Sequence, residues 1–191
     1  KYKDGVVNSA DGQNVSTGLA EVPRLQGDGA IGRGTISKGI GHGEVGYYKS
    51  ADGGATNPLV RNSEFRLLVG YEQELATELT GSVQYYLERR LDYDQYQDSL
   101  PLGAIKDSHN RHLFTLRLTK LLMQQDLRLS LFNFYSPSDK DGYLRLNASY
   151  KIRDNLKIVA GGNLFYGRHL YSFFGQFEDN SNIYTALHYD F

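Results

Sequence analysis

Ser181-Asn182-Ile183-Tyr184-Thr185-Ala186-Leu187-His188-Tyr189-Asp190-Phe191 ends the chain, and its alternation decides the fold. Ile183, Thr185, Leu187, Tyr189 and Phe191 fall on one parity, and Asn182, Tyr184, Ala186, His188 and Asp190 on the other. A period of two belongs to a strand, whose successive side chains point to opposite faces. The segment reads as a strand with one oily and one wet side that stops on an aromatic residue. In a soluble sheet such a strand is an adhesive edge. In a closed barrel within lipid it has a partner on both sides.

The same pattern recurs upstream. Over 64–74, Phe65, Leu67, Val69 and Tyr71 oppose Arg66, Gly70 and Glu72. Over 78–90, Leu79, Val83, Tyr85 and Leu87 oppose Thr80, Ser82, Gln84, Tyr86 and Glu88. Over 111–120, Phe114, Leu116 and Leu118 oppose Thr115, Arg117 and Thr119. Leu127, Leu129 and Leu131 oppose Arg128 and Ser130 over 126–135. Leu144, Leu146, Ala148 and Tyr150 oppose Arg145, Asn147, Ser149 and Lys151 over 143–152. Over 156–167, Leu156, Ile158, Ala160, Leu164 and Tyr166 oppose Lys157, Gly161 and Asn163. Two glycine-rich segments, 30–37 and 41–49, read as weaker strands. The total is nine.

Connections alternate in length. Counting back from Phe191, 168–181 is long, 153–155 short, 136–142 intermediate, 121–125 short, 91–110 very long, 75–77 short, 50–63 long and 38–40 short. One rim therefore carries tight turns and the other carries loops, as in outer-membrane barrels with short periplasmic turns and longer external loops. The expected fold is all-β, a transmembrane antiparallel up-and-down β-barrel with 8–10 strands in this chain. Single-chain bacterial barrels have an even strand count, so an odd count points to the C-terminal part of a larger barrel. A free-standing barrel is the alternative. Residues 1–28, rich in Gly, Asp, Asn and Ser, read as a polar loop, and 29–191 as the barrel domain. The chain starts at Lys1 without a methionine, which reads as a mature or trimmed product.

Composition agrees. The 191 residues are 40% hydrophobic, and no apolar run approaches the ~20 residues of a membrane helix. Barrel strands escape such scans because they alternate. Fifteen tyrosines, nine phenylalanines and 21 glycines suit short strands with aromatic girdles. The absence of cysteine excludes disulfides and thiolate metal sites. A formal net charge of -1 argues against a general nucleic-acid binder.

With the terminal strand in view, residues 30–191 resemble the Gram-negative outer-membrane β-barrel superfamily. The most specific element is Ile183, Leu187, Tyr189 and Phe191, which is similar to the C-terminal signal read by the barrel-assembly machinery. The resemblance implies integral residence in the bacterial outer membrane, with the lipid bilayer, that machinery and periplasmic chaperones as partners. The lack of Trp departs from the usual girdle, leaving Tyr and Phe to serve.

On this reading the apolar parity meets lipid and the other parity faces the lumen. Arg66, Gln84, Glu88, Arg117, Arg128, Arg145 and Lys157 are then the expected pore lining. Guanidinium groups in a water-filled pore favour anions. The role expected first is a porin-like passive channel for small polar or anionic solutes. In a narrow barrel the same side chains would instead pair with Glu72, Glu88, Asp126 and Asp190 and fill the interior. That leads to the alternative, a closed structural or surface-interaction barrel that uses its external loops.

An outer-mouth hydrolase built from Asp92, Asp94 and His109 is the least supported reading, because sequence gives no geometry. No catalytic residue, cofactor or metal is expected. Asp92, Asp94 and Asp98 alternate as calcium ligands can, but lack the Gly and late Glu of an EF-hand loop. Gly27-Asp28-Gly29-Ala30-Ile31-Gly32 matches a dinucleotide fingerprint only in letters, since no strand precedes it and no helix follows.

Overall fold

The computed structural model describes residues 24–57 and 60–191, together with the backbone of four short strands before them. Those strands are β1 (Tyr2–Lys3), β2 (Val6–Asn8), β3 (Asn14–Ser16) and β4 (Leu19–Ala20), with β1 paired to β4 and β2 to β3. The segment expected as polar loop, 1–28, is described only in part, and its described residues differ from that expectation: they include the four short strands and the start of the sheet at Leu25.

Nine long strands follow: β5 (Leu25–Ile36), β6 (Gly39–Ser50), β7 (Glu64–Ala76), β8 (Leu79–Arg90), β9 (Asn110–Leu122), β10 (Leu127–Ser136), β11 (Asp141–Arg153), β12 (Leu156–Gly167) and β13 (Asn182–Tyr189). They form one sheet in which every strand lies beside its neighbours in sequence, an all-β antiparallel up-and-down meander. Among the described residues β5 and β13 are its two edges. The chain divides into two compact units. One contains 1–28, 46–65 and 90–109, and the other contains 29–45, 66–89 and 110–191.

The pleat sorts side chains into rows across the strands. Gly81, Leu118, Leu131, Leu146, Gly162 and Ile183 are register partners in succession from β8 to β13 and form an oily row. One residue along, Ser82, Arg117, Phe132, Arg145, Asn163 and Asn182 form a polar row on the other face. Among the described residues, no second layer covers the apolar face. Val83, Phe114, Leu146 and Leu164 are 53%, 49%, 50% and 50% exposed, and Ala55, Tyr96 and Leu113 are the only buried hydrophobic residues among those described.

Connections at one end are 37–38, 77–78, 123–126 and 154–155, and at the other 51–63, 91–109, 137–140 and 168–181. Two differ from expectation. The stretch 91–110 contains a helix, α1 (Tyr93–Ser99), entered through Asp92 at φ 52°. Tyr96 fixes that helix by burying its ring under the Arg90 guanidinium at 4.3 Å. The connection expected over 136–142 shrinks to 137–140, because the ladder continues to Ser136 and Asp141. Asp139 N–H donates to Ser136 Oγ (3.2 Å), and that hydroxyl donates back to Asp139 Oδ2 (3.0 Å), which closes the turn. At the opposite end, the hydrogen bond from Lys151 Nζ (2.6 Å) holds the Asp154 carboxyl below the usual carboxylate range.

Tyrosines lie flat across glycines of the neighbouring strand. A Cβ on Gly161 would sit 2.6 Å from the Tyr184 hydroxyl and 2.7 Å from the Leu146 carbonyl. One on Gly142 would strike the Tyr166 ring and lie 2.5 Å from the Phe134 carbonyl. Gly32 has open space around it. Gly142→Ala and Gly161→Ala are expected to cost about 1–3 kcal/mol each through overpacking. Gly32→Ala is expected to be neutral or slightly stabilising. Denaturant midpoints followed by circular dichroism check this; equal effects at all three sites would reject the packing role.

Candidate functional site: the polar face

The polar face holds a pocket of about 280 Å³ lined by residues from six consecutive strands, β5 to β10. Arg33 comes from β5, His42 and Glu44 from β6, and Glu72 from β7. Ser82 and Gln84 come from β8, Thr115 and Arg117 from β9, and Phe132 from β10. Six strands side by side span about 24 Å at ~4.8 Å spacing. Every lining residue has the polar parity of its strand, so the alternation that builds the sheet also builds the pocket.

Fixed geometry anchors part of the lining. Gln84 Nε2 lies 3.0 Å from His42 Nε2, reaching across β7 over Gly70, where a Cβ would collide with the imidazole. The Arg117 guanidinium stands 6.0 Å from the Phe132 ring centroid, at the outer limit of a cation–π contact. Beyond the pocket the same face continues as a hydrogen-bonded ladder. Tyr143 Oη donates to Asn163 Oδ1 (2.6 Å), Asn163 Nδ2 donates to Asn182 Oδ1 (2.9 Å), and Asn147 Nδ2 donates to the Tyr184 hydroxyl (3.0 Å). Arg145 Nη2 donates to that same hydroxyl (3.3 Å).

Toward the long-loop end the face turns aromatic and is covered. The connection 168–181 places Phe174 against Phe134, Tyr143 and Phe165, with ring centroids at 4.9, 5.8 and 6.3 Å. Phe177 adds to Phe165 at 5.9 Å. The segment is tied down by its backbone: Phe174 N–H donates to Asp141 Oδ2 at 2.6 Å, and Asp141 is 0% exposed. Arg111 lies beside this cap, bonded through Nε to Asp139 Oδ2 (2.5 Å) and facing the Phe173 ring at 5.7 Å.

The residues expected to line a pore share this face but divide among different environments. Gln84 and Arg117 enter the pocket. Arg66 and Glu88 lie 3.8 Å apart as an ion pair. Arg145 belongs to the tyrosine ladder. Arg128 pairs in register with Leu121 and Ser149, and Lys157 with Lys151 and His188, nearer the short-turn end. Sequence reasoning placed Ser82 and Thr115 on the wet parity without naming them as lining, and did not single out Phe132 or, in the glycine-rich strands, Arg33, His42 and Glu44, which parity carried through those strands would have placed. His109 stacks on Tyr93 at 4.6 Å, and Asp94 sits in the first turn of α1. No three His, Asp or Glu residues among those described are grouped to hold a metal.

On the opposite face an open apolar hollow of about 1220 Å³ runs over Leu118, Leu129, Leu131, Leu144, Leu146 and Leu164. The closing residues Ile183, Leu187, Tyr189 and Phe191 are all exposed, and Ile183, Leu187 and Tyr189 hold the apolar parity of β13. The chain matches no known family, curated protein or solved structure.

Asp141→Ala removes the anchor of the cap. An unmade bond to a buried carboxylate costs about 1–3 kcal/mol, so the unfolding free energy should fall by that amount. Trypsin should also cut after Arg168 faster than in the unchanged chain. Unaltered cleavage at Arg168 would mean that the cap does not depend on this bond.

Proposed function

We propose that this chain is the wall of a bacterial outer-membrane β-barrel whose polar face lines an aqueous passage for small polar or anionic solutes. The observation that carries the reading is the inverted distribution of polarity. Oily rows stand uncovered on one face, while most charges, the hydrogen-bonded ladder and the folded-over cap lie on the other. A soluble sheet buries its apolar face, and a membrane barrel turns that face to acyl chains. The segregation of short turns and long loops at opposite ends supports the same reading. Anion preference rests on Arg117 and Arg145, which flank Phe132 in one row.

One observation favours the capped, surface-interacting form. Phe174 and its neighbours cover the polar face at the long-loop end, as a lumen closed from outside would require. In that form 51–63, 91–109 and 168–181 would carry the contacts with partners.

Reconstitution of the full chain into planar bilayers separates these readings. An open passage gives conductance steps, and Arg117→Glu with Arg145→Glu shifts the reversal potential in a salt gradient toward cation preference. A capped lumen conducts only after Asp141→Ala. A chain that stays monodisperse in buffer without detergent, with Leu129 and Leu146 protected from solvent, rejects the membrane reading altogether.

A further inference from the structure

We propose that the pocket between β5 and β10 is a binding site for small zwitterions, molecules that carry a carboxylate and an ammonium a few bonds apart. This rests on reading the polar face as a solute passage and names the class of solute that the passage would select. At about 280 Å³ the pocket has room for roughly nine waters at ~30 Å³ each, which suits a ligand of amino-acid size.

Its charges decide the class. Arg33 and Arg117 supply two cations, and Glu44 and Glu72 two anions. Arg33, Glu44, Glu72 and Arg117 enter no ion pair among the described residues, and the Arg117 guanidinium stands 6.0 Å from the Phe132 ring centroid. Elsewhere on the sheet opposite charges do meet, as in Arg66 with Glu88 (3.8 Å) and Arg111 with Asp139 (2.5 Å). Two cations and two anions around one small concavity without mutual pairing leave both signs free for a guest.

Arg33, Glu44 and Arg117 are exposed and Glu72 is half-buried, so a guest with a single charge would engage one pair of groups and leave the other to solvent. A dipolar guest satisfies both, its carboxylate on the guanidiniums and its ammonium on Glu44 and Glu72. Ser82, Thr115 and the His42–Gln84 pair supply neutral hydrogen-bonding groups around the middle. A neutral sugar would compensate neither sign, and Arg117 already stands toward the Phe132 ring on which a sugar would stack.

Titration calorimetry on the full chain in detergent tests the site with L-alanine, propionate, ethylammonium and D-glucose. L-Alanine is expected to bind at least about tenfold more tightly than the other three. Glu44→Gln with Glu72→Gln should invert the order so that propionate wins, and Arg33→Gln with Arg117→Gln should make ethylammonium the best of the four. Such inversions cannot arise from a variant that merely misfolds. Glucose binding as tight as that of L-alanine, or a preference order unmoved by both double variants, overturns the proposal. A chain that conducts ions but takes no L-alanine loses the site and keeps the passage. One that binds L-alanine but never enters a bilayer does the reverse.

Discussion

The pleat of the antiparallel ladder is the constraint on which the rest depends. From β8 to β13 each strand is tied in register to the next, with one irregularity between Lys151 and Arg153, so alternate side chains have no choice but opposite faces. The sequence supplies leucines and isoleucines to one face and most of the charges to the other, and among the described residues only the second carries a cover, the segment 168–181 at its long-loop end. The usual source of stability, apolar area removed from water, is then missing from the oily face unless something outside the chain covers it. On the lipid reading, acyl chains are that covering.

Within the sheet, fit comes from aromatic side chains laid across missing Cβ atoms. Tyr184 over Gly161 and Tyr166 over Gly142 fill positions where any side chain would strike backbone. Tyr184 does two things, because its hydroxyl also receives Asn147 and Arg145. The glycines of these strands therefore act through close packing, and the tyrosine abundance answers the glycine abundance.

Much of this fold was legible because period-two alternation survives any tertiary context. All nine strands and the segregation of turn lengths follow from it. The parts that were not legible depend on contacts distant in sequence. Helix α1 is held by Arg90 over Tyr96, and local propensity around Asp92, Asp94 and Asp98 reads simply as polar loop. The connection 137–140 is short because the Ser136 and Asp139 side chains bond each other across the turn. Strand β5 starts at Leu25, earlier than its glycines suggest, and the Tyr48 ring lies over Gly27, where an added Cβ would come within 3.1 Å of it. The pocket was half visible. Gln84 and Arg117 stood out in strongly alternating strands, whereas Arg33, His42 and Glu44 sit among glycines that blur the parity.

The two edges connect stability with location. Among the described residues, strands β5 and β13 each present a row of backbone donors and acceptors along the outside of the sheet. In water those groups are solvated and the edges are tolerable, but the oily rows are not. In hydrocarbon the oily rows are satisfied, but each unpaired edge group costs several kcal/mol. Neither environment suits an open sheet of this composition. On the lipid reading, covering the oily face and pairing the edges must therefore occur as one event, through each other or through a further strand. A β13 that displays Ile183 at 90% exposure on its oily side and unpaired backbone along its rim has the attributes that such a joint step would use.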